Sequence, residues 1–208
     1  MIQSTFSPLI PASSSLPKKL VPDLLSRFSS AEGYTLFPDV HPFFESLREA
    51  RERSWHNPNL PKVVLGIITN SDDRVLPILS SLHTRVTPRR YQRDAEAYFP
   101  ARQAKDDSDI EFVILSYDVG FEKPNRRIFD AAKELVHVEE DVECGYIHVG
   151  DDLEKDARGA EASGWTGVVL DRDDQYESEG LPRVRSLAEL GDIVSERTKG
   201  EKLSDPWH

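Results

Sequence analysis

A single cysteine, Cys144, stands among the 208 residues. One thiol cannot close an internal disulfide, so the fold must rest on its core. That chemistry suits a reducing, intracellular compartment, cytoplasmic or nuclear. The thiol is either a structural group beside a strand or a lone reactive one. There is also no apolar run of the roughly 18 residues that a membrane helix needs. Positive charge is scarce: 26 Lys and Arg against 37 Asp and Glu leave a formal charge of −11. With no basic block, the composition argues against nucleic acid and against an anionic membrane surface as partners. The start, MIQSTFSPLIPASSSLPKKL, lacks a charged stretch followed by an apolar one, so it is not a signal peptide. It lacks acids before Asp23, as a transit peptide does, but it also lacks the arginine such a peptide carries.

The length suits one domain with a sizeable core, plus at most an appendage. Residues 1–19 are rich in Ser and Pro and are expected to lack regular structure. Leu20, Leu24, Leu25 and Phe28 lie on one side of a short helix over 20–30. Pro38 and Asp39 open a second helix with Val40, Phe43, Phe44 and Leu47 at helical spacing, and 54–61 is a turn-rich linker. KVVLGIITN, 62–70, is a continuous apolar run of strand length, the pattern of a strand buried on both faces. A helix over 74–82 follows, then a polar excursion over 83–109. EFVILSYDVG, 111–120, is a second strand, and Asn125 starts a helix to about Val136. After an acidic turn come a strand over 146–152, a helix over 153–163, a strand over 166–172 and a closing helix over 186–197. Ser186 and Glu189 supply a capping box for the last helix. The alternation predicts an α/β, doubly wound, Rossmann-like parallel sheet, with its core over 31–200 and a tail over 201–208.

In such sheets the site lies beyond the carboxyl ends of the strands. That rule selects Thr69, Asn70, Ser71 and Asp72, then Asp118 with Lys123, then Asp151 and Asp152, then Asp171 and Asp173. Thr69 and Asn70 can cradle a phosphate with the backbone N–H groups of the turn, or they can be helix caps. Lys123, held before a helix by Pro124, can neutralise an anion, or it can be a solvated surface lysine. Asp151, Asp152 and Asp156 repel one another unless a cation lies among them, and oxygen ligands of this kind suit magnesium. Helix capping explains one or two of these acids equally well.

As an ordered set, GIITN (66–70), EKP (122–124) and GDDLEKD (150–156) resemble the motifs of the haloacid dehalogenase-like hydrolase superfamily. RFSSAEGYTLFPDV, GIITNSDDRV, LSYDVGFEKPNRRIFDAA and HVGDDLEKDARGAEASGW look like the branch called haloacid dehalogenase-like hydrolase domain-containing protein 3. The likeness covers about residues 20–175. It implies a magnesium-dependent phosphatase acting on a small phosphorylated molecule. By that likeness Thr69 would hold the phosphoryl group with Asn70 beside it, and Lys123 would neutralise nucleophile and phosphate. Asp151 and Asp152 would bind magnesium, Asp152 being the less certain acid, and Asp156 would steady Lys123 or the metal shell.

The resemblance also exposes a gap. The family's first motif is an apolar strand followed by Asp-x-Asp, whose first carboxylate attacks phosphorus. Before residue 62 the acids are Asp23, Glu32, Asp39, Glu45, Glu49 and Glu52, and none follows an apolar strand. DSDIE, 107–111, has the spacing but no strand before it. VVLDRDDQ, 168–175, follows a strand but comes last in the chain, and its acids read as the polar end of a core strand. The expectation is therefore a phosphatase-type chain that is incomplete at its amino end and inactive alone, with weak magnesium binding. Residues 1–30 would keep only the tail of a helical cap, and the first central strand would be missing from the sheet. The alternative is a nucleophile-free protein that binds a phosphate ligand or regulates. A partner chain that completes the sheet would satisfy either.

Overall fold

A computed structural model describes residues 17–57, 60, 62–87, 89–91, 99–100, 108–137, 145–176 and 180–198. Cys144, the acidic turn, the Ser/Pro-rich start before residue 17 and the 201–208 tail lie outside them.

Helix α1 (Leu20–Arg27) leads through a short 3-10 turn to α2 (Val40–His56). Strand β1 is Gly66–Thr69, followed by α3 (Val75–Ser81). A two-residue strand β2 (Phe99–Pro100) lies in the excursion. Then come β3 (Phe112–Leu115), the single turn α4 (Ser116–Val119), α5 (Arg126–Leu135) and β4 (Val136–His137). Strand β5 (Ile147–Gly150) runs into a π-helical turn, Leu153–Arg158, that continues as α6 (Gly159–Ala162). Strands β6 (Thr166–Leu170) and β7 (Arg183–Val184) precede α7 (Leu187–Thr198).

All strand pairs are parallel, as the α/β alternation requires. The pairing falls into separate groups: β1 with β3, β2 with β4, and β5–β6–β7. Among the described residues β1 pairs only with β3, and β5 only with β6. Helix layers on both faces carry the two main groups, which makes the sheet doubly wound. Alternation along β3 shows this directly. Phe112 and Ile114 join Ile128, Phe129 and Leu135 of α5 on one face. Val113 and Leu115 join Phe43, Phe44 and Leu47 of α2 and Leu190 of α7 on the other. The second face also takes Ile67 from β1 and Val149 from β5, so one helical layer spans both groups.

Local chemistry explains several element ends. Asn125 caps α5 by accepting a bond from Arg127 N at 3.0 Å. Gly164, at φ 75°, ends α6 in the left-handed region that glycine tolerates. Asp39 precedes α2 but does not cap it. Its carboxylate instead accepts from Leu187 N at 2.7 Å and from Arg172 at 2.8 Å, tying the start of α7 to the start of α2. The apolar side of α1 is the exception to the expected burial: Leu25 is 57% exposed and Phe28 49%.

Gly167 marks the closest approach of β6 to the helical segment after β5. A Cβ there would sit 2.2 Å from the carbonyl oxygen of Ala157, which is backbone and cannot swing aside. Gly167→Ala is expected to lower stability by about 1–3 kcal/mol in urea unfolding. An unchanged midpoint would mean the two segments are not packed this tightly.

Candidate functional site

The carboxyl ends of β1 and β5 meet the loop before α5 at one lysine. Thr69 is the last residue of β1, and Asn70 follows it. The Asn70 amide clasps the backbone of Lys123 from both sides. Its Oδ1 accepts from Lys123 N at 2.7 Å, and its Nδ2 donates to Lys123 O at 3.1 Å. The peptide bond to Pro124 is cis. With its backbone pinned, Lys123 sends its side chain back over the strand ends. Its ammonium donates to Ile68 O at 2.9 Å and pairs with Asp156 Oδ1 at 2.6 Å. Only 13% of that side chain is exposed, which excludes the solvated surface lysine.

Asp156 is the other half of this junction, 6% exposed. His148 Nε2 lies 3.1 Å from its Oδ1, and Asp152 N donates to its Oδ2 at 3.1 Å. An ionised carboxylate only accepts, so Nε2 of His148 carries the hydrogen. Burial by itself raises the pKa of Asp156. The bonds from His148 and Lys123, with the lysine's charge, outweigh it and hold the carboxyl well below the usual carboxylate range. Gly150 makes room for this arrangement, since a Cβ there would lie 2.2 Å from Asp156 Cγ.

The other two acids of the cluster point elsewhere. Asp152 is a helix cap: Oδ1 accepts from Glu154 N at 3.1 Å and Lys155 N at 2.9 Å. Its Oδ2 meets Lys155 Nζ at 2.7 Å, and that bond draws its pKa below normal. Asp151 is exposed, and its carbonyl accepts from Tyr176 OH at 3.1 Å. Among the described residues no group of three or more His, Cys, Asp or Glu converges on a point where a metal could be held. Lysines already neutralise Asp152 and Asp156, so Asp151 is the one acid of the three left to a cation. This donor set does not fit a magnesium ion on its own.

Of the stretches that imitate a nucleophile motif, 168–175 is structural, and Asp107, which opens DSDIE, lies outside the described residues. Asp171 is 3% exposed and closes the loop after β6. It accepts from Gln175 N at 2.8 Å, Tyr176 N at 3.0 Å and Arg183 at 3.0 Å. Asp173 accepts from the Gln175 side chain at 3.3 Å. Asp109 of DSDIE lies before the amino end of β3, away from the site, and pairs with Arg48 at 2.6 Å and Arg85 at 3.3 Å. Asp118 is held by Arg90 at 2.6 Å. His148 is the residue that motif reading missed. Its only sequence signal is a polar side chain in the middle of the apolar strand IHVG.

The chain is similar to several known proteins. Residues 120–186 match the family model described as HAD-hydrolase-like. An uncharacterized hydrolase of Schizosaccharomyces pombe is 31% identical over 161 residues, which is 75% of this chain and 56% of that protein. The glyceraldehyde 3-phosphate phosphatase of Methanopyrus kandleri is 36% identical over 98 residues, 42% of this chain and 39% of that protein. The crystal structure of a HAD phosphatase from Thermococcus onnurineus superposes with a TM-score of 0.55 at 23% identity, over 92% of this chain and 69% of that one. The chain spans about half the length of the curated relatives it matches. The family model over 120–186 supports a likeness to the HAD-hydrolase-like family, and the α/β fold with parallel strands is that of the solved structures it superposes on. Among the described residues no helix is long and apolar enough to cross a membrane.

Proposed function

We propose that this chain is the phosphate-positioning part of a phosphatase-type haloacid dehalogenase-like hydrolase, one that orients and neutralises a phosphoryl group but does not attack it by itself. The observation that carries the reading is the Lys123 ammonium, fixed 2.9 Å from Ile68 O and 2.6 Å from Asp156 at the strand ends. Thr69 would hold the phosphoryl group there, and Asn70 would act through the backbone of Lys123, which it clasps. Asp156 would keep the lysine in place. The finer assignment, to the branch called haloacid dehalogenase-like hydrolase domain-containing protein 3, rests on the four stretches quoted above.

Covalent phosphoryl transfer needs a carboxylate free to approach phosphorus in line with the leaving oxygen. Asp118, Asp152, Asp156 and Asp171 are each bound to a cation or to backbone N–H groups at the strand ends. Magnesium, which the resemblance implies, would supply charge stabilisation to a phosphoryl group. Here it would rely on Asp151 alone of the three acids, so weak binding is expected.

The test is hydrolysis of p-nitrophenyl phosphate with millimolar magnesium, comparing the chain with Lys123→Ala. The expected result is the same background rate for both. Magnesium-dependent turnover that disappears in Lys123→Ala would overturn the inactive reading and place a nucleophile within the chain. A parallel melt in millimolar inorganic phosphate tests the cradle itself. Phosphate should raise the melting temperature of the chain and leave that of Lys123→Ala unmoved. An equal response would remove Lys123 from any phosphate site.

A further inference from the structure

The single turn α4 stands at the carboxyl end of β3, beside the lysine junction. Thr69, last in β1, lies opposite Leu115, last in β3. Just past that pair the two loops stay together: Ser116 Oγ and Tyr117 N both donate to Ser71 O, each at 3.3 Å. Other bonds hold the turn as well. Val119 is buried in the core with α5. Asp118 accepts from Arg90 Nε at 2.8 Å and from its Nη2 at 2.6 Å. Gly120, at φ 78°, ends the turn in the left-handed region, and its N–H bonds Ser116 O at 2.8 Å. The side chains of Ser116, Asp118 and Val119 are thus committed to the fold.

Tyr117 is the remaining member of α4. It is 72% exposed, more than any other large apolar side chain among the described residues. Tyr34, also exposed, gives its hydroxyl to Phe28 O at 3.4 Å, and Phe37 lies under Arg172 at 4.1 Å. Among the described residues the Tyr117 ring has no stacking partner and its hydroxyl no hydrogen bond. A lone exposed ring is ordinary on a protein surface. This one differs in its mount. Ser71, which anchors the turn, directly follows Asn70, whose amide clasps Lys123. Contacts from Lys123 through Asn70 and Ser71 therefore fix the backbone under the ring relative to the ammonium. Asp118, and at longer range Asp73 and Tyr117, favour the charge on Arg90, so the turn and the loop after β1 border one guanidinium.

We propose that Tyr117 is the platform for the leaving group, and that the ligand is a small phosphomonoester with a planar aromatic ring on its ester oxygen. The inference rests on the phosphate site read at Thr69 and Lys123 and deepens it. Ile68 O and Asp156 occupy the inner side of the ammonium, so the ester side of a phosphoryl group held there faces out past the strand ends. Tyr117 presents its ring on that side. A tyrosine has only two side-chain torsions to fix, so stacking on it costs little entropy. Two rings packed offset or edge-on also gain more than the area they bury, which an aliphatic group cannot match.

Thermal melts titrated with two non-hydrolysable probes test it: phenylphosphonate and cyclohexylphosphonate, equal in ring size, at a pH where both are dianions. Inorganic phosphate is titrated alongside. The chain should bind phenylphosphonate roughly three- to tenfold more tightly than cyclohexylphosphonate, the worth of one stacked ring pair. Tyr117→Ala should erase that preference and Tyr117→Phe should keep it. Equal affinity for the two phosphonates in the unsubstituted chain would overturn the inference, and so would a phenyl preference that survives in Tyr117→Ala. In either case a response to inorganic phosphate would leave the phosphate site standing. No response to inorganic phosphate or to either phosphonate would remove both.

Discussion

Asp156→Asn is expected to destabilise the fold by about 3–5 kcal/mol in urea unfolding, the usual cost of removing one partner from a buried ion pair. The substitution keeps the shape and removes the charge. The Lys123 ammonium, 13% exposed, would keep its bond to Ile68 O but lose its counter-ion. The asparagine would also have to turn an amide group toward either Lys123 or Asp152 N, both of which donate to the present carboxylate. Lys123→Met together with Asp156→Leu removes both charges at similar volume. That double variant should recover part of the loss, because a buried pair is costly to break and often close to neutral to replace. If Asp156→Asn costs less than about 1 kcal/mol, as a surface pair does, the junction is wetter than its burial indicates.

The same pair sets a pH dependence. The carboxyl of Asp156 titrates lower in the folded chain than in the unfolded chain, where an aspartate sits near 3.9. Its contribution to stability is therefore complete above about pH 5 and is lost as pH falls through 4 toward the folded value. Asp39, Asp109 and Asp171 are shifted in the same direction by their own partners, so the acid slope of the chain is shared. The difference between the chain and Asp156→Asn isolates one member of that set. Stability should fall more steeply from pH 5 to pH 3 in the unsubstituted chain, and parallel curves would sink the assignment.

Much of this junction was legible in the sequence because its parts sit at strand ends. Continuous apolar runs placed β1, β3, β5 and β6; the strand-end rule then picked out Lys123, and the acid cluster after β5 brought in Asp156, with no knowledge of their distance. Asn70 was legible as a position but not in its role. Its clasp on Lys123 spans 53 residues of chain and depends on how two turns face each other. His148 was hidden for a different reason. A histidine in a strand reads as a filler of the pleat, and only the packing of β5 against the π-helical turn brings it to Asp156. Strand β1 is shorter than the apolar run 62–70 implied, beginning at Gly66. Hydrophobicity marks what is buried, but a ladder needs a neighbour, and among the described residues β1 has one on a single side. Helix α1 teaches the same lesson: periodicity located its apolar side but could not say what covers it, and Leu25 and Phe28 stay exposed.

Phe129→Ala should match Asp156→Asn in size, with an expected loss of about 3–5 kcal/mol from a core phenylalanine. The ring is fully buried on the inner side of α5. It meets the His148 imidazole edge-on, with centroids 5.3 Å apart at 87°, and Trp165 at 5.8 Å. The loss therefore has two sources: a cavity under α5, and freedom for His148, which the ring holds against Asp156. Paired substitutions separate them. Phe129→Leu refills most of the cavity without restoring the edge-on contact, so it should cost less than Phe129→Ala. If the ring acts on the site through His148, Phe129→Ala and His148→Ala will be non-additive, by about 0.5–3 kcal/mol. In that case Phe129→Ala should also weaken the thermal response to phosphate, which filling a cavity alone would not affect. Additive costs and an unchanged phosphate response would confine Phe129 to the core and leave the alignment of Asp156 to Lys123 and the backbone of Asp152.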